Sequence, residues 1–449
     1  MSGGRGDRRG RGGRGGGGGR GRGGGGGGRD RRPHVPLSRE PLTATVDGFT
    51  HGGEGVARVE GKAVFVPGTL PGEQVVLRVV DDRPSWARAE LVEVTDPSPD
   101  RVAPPCPHAT VCGGCDLQHA APTAQRRLKT RVVREQLQRL GKVVDPPVAD
   151  CLAVGPDLGY RTHAQLHADD DGRLGFHRAG THDVVPVEVC PILTPETQAV
   201  RAAVGDDTGA AEVAVRAHAR TGTAAASLTP GPGGLAIPEG DFDLVLVQPD
   251  GSTLAMRGDG VLREEVAGTT YGFDTSSFFQ VTTGGAEALV AAVLEAAGDV
   301  DGALVWDLYA GVGLLSLALA RAGAEVVAVE GHAPAAAWCE RNAADAELMV
   351  DVHARPVEDL VREAAAGDGD LDPPDVIVLD PPRSGAGEAV ARDLATLAPG
   401  TLVYVACDVA ALARDTRTLT AHGFRLTSAQ PLDLFPMTHH VEVVATFVR

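Results

Sequence analysis

The chain predicts an α/β fold in three parts: a mostly parallel, helix-covered sheet in the last third, behind two β-rich segments. Three observations predict it. From Ala303 onward apolar strands alternate with helical runs, A-L-V-W-D-L, then L-L-S-L-A-L-A-R-A-G, then E-V-V-A-V-E. Between Leu42 and Thr95 lie five short β-branched runs, punctuated by Gly52, Gly53, Gly55, Gly61, Gly68 and Gly72, the texture of a small closed barrel of OB type. Residues 157 to 273 alternate strand-like stretches with Gly, Pro and Asp turns and read as an antiparallel β-rich centre.

Composition bounds the partners. At 449 residues with 43% hydrophobic content, the chain can bury several cores. Its net charge is −18, yet residues 1–32 hold ten Arg against Asp7 and Asp30, a local +8, which leaves −26 for the rest. An acidic body excludes indiscriminate coating of nucleic acid, while a local basic surface can still bind phosphate. There is no run of 18 apolar residues and no apolar signal core at the N-terminus, so a cytoplasmic protein with no membrane partner is expected. Seven cysteines in such a chain favour metal or catalytic use over a disulfide framework.

Taken in order, residues 1–35 hold 18 of the 59 glycines and almost no apolar side chain, so they are expected to stay unfolded. Such an arm can neutralise RNA phosphates, or simply solubilise. The barrel is placed at 38–98. Cys106, Cys112 and Cys115 follow in C-x5-C-x2-C spacing, with Cys190 far downstream, a set that can hold a tetrahedral zinc or a four-iron cluster. Gly113 and Gly114 let the backbone approach a bulky core, which favours iron-sulfur. Ala124 to Leu140 predicts an amphipathic helix whose basic face is the best candidate for phosphate contact in the acidic body. The β-rich centre, with the cysteines, is bounded at 99–275 and the last part at 276–449.

In that last part the first strand ends at Asp307 and runs into a turn with Gly311 and Gly313; the second ends at Glu330. Glycines let a ligand approach the backbone, and the acid suits two ribose hydroxyls, a pattern shared by nicotinamide and S-adenosylmethionine sites. Ser316 stands where a third glycine would, which favours the methyl donor. D-V-I-V-L-D-P-P-R ends a further strand at Asp380, and L-V-Y-V-A-C-D delivers Cys407 to the edge beside it. The last strand, H-V-E-V-V-A-T-F-V-R, carries Glu442 at its start.

These motifs carry a resemblance. Residues 42–95, through G-F-T-H-G-G-E-G-V-A-R and A-V-F-V-P-G-T-L-P-G-E, resemble a TRAM domain, an RNA-binding barrel. From about residue 40 to the end the chain resembles the TRAM-containing, iron-sulfur RNA (uracil-5-)-methyltransferases. Its carriers are C-x5-C-G-G-C with Cys190-Pro191, S-F-F-Q-V, D-L-Y-A-G-V-G, D-P-P-R, V-Y-V-A-C with A-L-A-R-D, and F-P-M-T-H-H-V-E. The resemblance implies a class I (Rossmann-like) methyltransferase domain behind an OB-like TRAM β-barrel and a β-rich central domain. It further implies a monomer acting on structured RNA, either 23S rRNA or tRNA. Cys407 would be the nucleophile and Glu442 the base; Gln280, Tyr309, Glu330 and Asp380 would bind S-adenosylmethionine; Cys106, Cys112, Cys115 and Cys190 would hold a 4Fe-4S cluster. The chain departs from the family at Asp408-Val409 (usually Asn-Pro), Thr282 (usually Asn) and Leu314. A carboxylate at 408 should raise the pKa of Cys407 unless it points away or accepts hydrogen bonds. Two other readings are an RNA-binding assembly factor without catalysis and, from D-P-P-R, an adenine N-methyltransferase that would not need Cys407.

Overall fold

The structure is a computed structural model that describes residues 36–449; the Gly/Arg-rich arm, 1–35, lies outside the described residues. β1 (Leu42–Phe49), β2 (Glu54–Val59), β3 (Lys62–Pro67), β4 (Gln74–Asp82) and β5 (Trp86–Asp96) close into a barrel in the order β1-β2-β3-β5-β4. Strand alternation sends Val46, Ala57, Val64, Val66, Val75, Leu77 and Ala87 inward, all fully buried. The five predicted runs are these five strands.

α1 (Pro122–Arg139) is the predicted amphipathic helix, with Val132, Val133 and Leu137 buried. Its basic face divides in two. Lys129 is 2% exposed and ion-paired with Asp433, and Arg126 reaches Asp157 at 2.8 Å and Asp433 at 3.6 Å. Arg127 pairs with Asp100, Arg131 with Glu135, and Arg134 donates to Val148 O, and these three arginines stay exposed. Part of the face is thus taken up by carboxylates from elsewhere in the fold, which a one-dimensional charge count cannot reveal.

Beyond α1, β6 (Leu152–Ala153) is a short strand that joins the sheet of the last part. The centre is a seven-stranded sheet made of β7 (His163–Ala168), β8 (Leu174–His177), β9 (Val184–Pro186), β10 (Ala210–His218), β11 (Thr223–Pro230), β12 (Asp243–Val247) and β13 (Thr253–Arg257), with α2 (Pro195–Val204) packed on it. It is antiparallel as expected except for the parallel β11–β12 pair. The hairpin β14 (Val261–Val266) and β15 (Thr269–Asp274) then leads in, its Tyr271 and Phe273 packed into the last core.

That last part runs α3 (Thr283–Ala297), β16 (Leu304–Leu308), α4 (Leu314–Arg321), β17 (Glu325–Val329), α5 (Ala333–Asp345), β18 (Val350–His353), α6 (Val357–Ala366), β19 (Val376–Leu379), α7 (Gly387–Leu397), β20 (Thr401–Ala406), α8 (Val409–Ala421), β21 (Arg425–Asp433) and β22 (Glu442–Val448). The sheet order is β18-β17-β16-β19-β20-β22-β21-β6. Pairings from β18 to β20 are parallel, whereas β22 lies antiparallel between β20 and β21. Two apolar cores cover its faces, which is why β19 reads V-I-V-L with no alternation. The strand order reverses between β16 and β19, and the carboxyl edge at such a switch point is where ligands bind in open α/β sheets.

Candidate active site

Cys407 and Glu442 meet through register. β20 and β22 pair Ala406 with Val443, so the next residue of β20, Cys407, comes opposite the first residue of β22, Glu442. Glu442 is 4% exposed and its Oε1 has no hydrogen-bond partner among the described residues. A buried carboxylate oxygen without a partner is costly unless a ligand or a proton serves it. Burial, reinforced by the nearby Asp380 charge, holds the Glu442 pKa well above the usual carboxylate range, and Arg383 partly offsets this. Burial also pushes the Cys407 thiol up to about 11, with Glu442 and Asp380 adding to it and Arg383 opposing.

Asp408, where the chain departs from the family, has another task. Its carboxylate caps α8, accepting from Ala411 N at 2.7 Å, and its other oxygen lies 3.6 Å from His51 Nε2. His51 comes from the β1–β2 loop of the barrel. It shares with Arg383, Cys407, His439 and His440 the wall of a cleft of about 180 Å³. Nothing local in the chain brings that loop here; only the packing does.

Arg383 is exposed on the D-P-P-R loop. Asp415 of α8, in A-L-A-R-D, holds the loop's far side by accepting from Ala386 N (2.9 Å), Gly387 N (3.2 Å) and Tyr404 Oη (2.7 Å). Arg383→Ala should raise the Cys407 pKa further. At neutral pH the methylation rate falls by about tenfold for each unit of that rise, and is recovered at higher pH, which a pH–rate profile of the two proteins reads directly.

Three of the four predicted cosubstrate residues, Glu330, Tyr309 and Asp380, follow strands of that edge. Glu330 follows β17 and accepts from Gly311 N (2.9 Å) and His332 N (2.6 Å), which leaves lone pairs for hydroxyl donors. Tyr309 follows β16 with φ +66°, an uncommon conformation for a residue with a side chain, and donates from Oη to Glu358 at 3.2 Å. Gly313, at φ +93°, has no room for a side chain: a Cβ there would lie 2.8 Å from Cys339 Sγ. Asp380 follows β19, and burial raises it to about 7. Gln280 is buried in the loop before α3. Asp274 fastens that loop, accepting from Ser276 N, Ser277 N and Trp338 Nε1, and Arg216 donates to Ser277 O at 3.0 Å. Asp307, absent from the predicted set, is 1% exposed, hydrogen-bonded to Ser316 and raised by burial to about 7. Its position at the end of the first strand was the available signal.

Cys106, Cys112, Cys115 and Cys190 line one cavity of about 230 Å³. Among the described residues no three His, Cys, Asp or Glu side chains stand close enough to hold a metal ion. Backbone amides do point at the sulfurs: Gly114 N lies 3.4 Å from Cys112 Sγ, and the amides of Ile192 and Leu193 bond to the Cys190 thiol.

A glycine turn after β16, an acid after β17 and a switch point between β16 and β19 make a cosubstrate edge of the kind that methyltransferases share with nicotinamide enzymes, and the comparisons decide for the methyltransferase class. Residues 38–92 match the TRAM domain, and residues 259–448 match the tRNA (Uracil-5-)-methyltransferase family. The chain is 38% identical to an uncharacterized RNA methyltransferase of Streptomyces coelicolor, over 92% of this chain and 93% of that one. It is 36% identical to the 23S rRNA (uracil(1939)-C(5))-methyltransferase RlmD of Alkalilimnicola ehrlichii, over 92% and 98%. The solved tRNA (uracil-54, C5)-methyltransferase of Pyrococcus abyssi, in complex with S-adenosyl-L-homocysteine, shares the fold at TM-score 0.72 and 23% identity, over 91% of this chain and 100% of that one. The chain belongs to the RNA (uracil-5-)-methyltransferase family.

Proposed function

We propose that the chain methylates C5 of a uridine in 23S rRNA through a covalent adduct between Cys407 and C6. The observation that carries this is the register of β20 against β22, which sets a thiol opposite a buried, partnerless carboxylate oxygen beside the D-P-P-R loop. C5 of uracil is a weak nucleophile. Addition of the Cys407 thiolate at C6 turns it into an enolate carbon; S-adenosylmethionine, when bound, supplies the electrophilic methyl. Glu442 then takes the C5 proton, the C5–C6 double bond re-forms and the Cys407–C6 bond breaks. The uracil must leave its stack to expose C6, and the cleft walled by His51 and Arg383 is where it would enter. Gln280, Tyr309, Glu330 and Asp380 are assigned to S-adenosylmethionine, with Glu330 on the ribose.

We assign Cys106, Cys112, Cys115 and Cys190 to a 4Fe-4S cluster on donor chemistry, since four thiols around one cavity and sulfur-directed amides are what such a core requires, while their spacing here is wider than a bound metal demands. The cluster would cross-link residues 106–115 to Cys190 and takes no part in the chemical steps. The choice of 23S rRNA over tRNA rests on the RlmD relatives. Nucleoside mass spectrometry of rRNA and tRNA from cells lacking the gene tests it. One 5-methyluridine should vanish from 23S rRNA and return with the wild-type gene; loss from tRNA instead would reassign the substrate, and no loss anywhere would overturn the proposal.

A further inference from the structure

The segment between β21 and β22, Leu434–Val441, delivers Glu442, and its backbone is held almost residue by residue. Lys129 Nζ donates to Phe435 O (3.0 Å) and Tyr160 Oη to Pro436 O (2.9 Å). Met437 N donates to Gln125 Oε1 (2.8 Å), and Met437 O accepts from Leu117 N (2.9 Å) and Asp116 N (3.2 Å). His439 N donates to Asp116 Oδ1 (2.8 Å), and His439 Nδ1 bonds Asp116 Oδ2. Gln125 is fully buried, and its amide nitrogen donates to Leu117 O (3.1 Å) and Ala120 O (2.9 Å), so one side chain ties the two segments together.

Two further observations locate the junction at Asp116. Met437 has φ +69°, a conformation that persists only where the surroundings over-determine it, and it packs with Tyr160 and Ile192 against Cys115 and Cys190. Gly53 of the barrel, at φ +80°, abuts the same spot: a Cβ there would lie 2.9 Å from His439 Cβ and 3.0 Å from Asp116 Oδ2. The barrel, the cysteine segment and the Leu434–Val441 segment therefore meet at Asp116, the residue after Cys115, and its partner His439 lies three positions before Glu442.

We infer that Asp116 is a positioning residue for Glu442, through which the cysteine segment sets the placement of the base. The inference rests on Glu442 being the base. Asp116 touches no reacting atom. Its loss frees His439 and lets the start of β22 drift, and a misplacement of about 1 Å is enough to cost about 10²-fold in rate. The step that suffers is proton removal from C5, which follows addition and methyl transfer, so the loss has a chemical signature.

The test compares Asp116→Ala, Asp116→Asn, His439→Ala and Glu442→Gln with the wild type, using full-length protein, a 23S rRNA transcript and S-adenosylmethionine. The readouts are turnover, denaturation-resistant protein–RNA adduct and thermal unfolding. Asp116→Ala should lose about 10²-fold in turnover while accumulating the methylated adduct as Glu442→Gln does. His439→Ala should stall in the same way, because it removes the ring bond to Asp116 Oδ2, and Asp116→Asn should recover most of the rate, because its amide oxygen still accepts from the His439 backbone N–H and its amide nitrogen can donate to the ring Nδ1. Slow turnover without adduct, or unchanged turnover, in both Asp116→Ala and His439→Ala would overturn the inference. If Glu442→Gln itself gives no adduct, it is the assignment of the base that fails, and the inference falls with it.

Discussion

Cys407→Ala is expected to bind RNA and unfold at the wild-type temperature but to lose methylation by about 10⁴-fold or more, a loss of the size seen when a covalent nucleophile is removed. The side chain is half-buried at the end of β20 and accepts no obligatory hydrogen bond, so its removal leaves no unpaired buried group. RNA carrying 5-fluorouridine makes the outcome sharper. Fluorine at C5 cannot leave as a proton does, so the wild type should be trapped as a denaturation-resistant adduct, and Cys407→Ala should not. A variant that still methylates would exclude the thiol route and leave the adenine-type chemistry suggested by D-P-P-R. The pH profile follows from the same thiol. With its pKa raised to about 11, the thiolate fraction at neutral pH is small and grows about tenfold per unit. The rate of adduct formation should therefore rise with pH through the neutral and mildly alkaline range.

Glu442→Gln separates addition from elimination. The Glu442 charge is the second cause, after burial, of the raised Cys407 pKa. Removing it should lower the thiol pKa, so addition and methyl transfer proceed at least as fast as in the wild type. Proton removal from C5 has no base, and turnover should fall by about 10²–10⁴-fold while the methylated adduct accumulates on ordinary RNA. Stability should move the other way. A carboxyl whose folded pKa lies above its unfolded value makes the folded protein bind more protons, so it destabilises progressively as pH rises from the unfolded value through the folded one. Glu442→Gln removes this dependence, so the variant should gain thermal stability relative to the wild type as pH is raised from acid to neutral. A stability difference that shrinks with rising pH would contradict the buried, proton-retaining carboxyl.

Much of this was legible along the chain because periodicity and turn chemistry are local. The barrel runs became β1 to β5, and the strands ending at Asp307, Glu330, Asp380 and Cys407 became β16, β17, β19 and β20. The α1 pattern marked the helix and its apolar stripe, but period tells only which face is apolar and not where opposing carboxylates come. Lys129 of the basic face is buried and bonded to the loop that leads to Glu442, while Arg127, Arg131 and Arg134 remain exposed.

Element types and the α/β class of the last third follow from local spacing, and the candidate groups from the chemistry that a thiol, a carboxylate and a glycine turn allow. Which of those candidates come together is a property of the closed fold alone. β22 folds back between β20 and β21, and that antiparallel return, made by residues far apart in sequence, sets Glu442 against Cys407. The start of α8 engages the Asp408 carboxylate as its cap, and the packing of barrel loop, cysteine segment and α1 fixes the Leu434–Val441 loop. Each is a long-range contact whose partner is chosen by the closing of the fold, and no one-dimensional pattern encodes that choice.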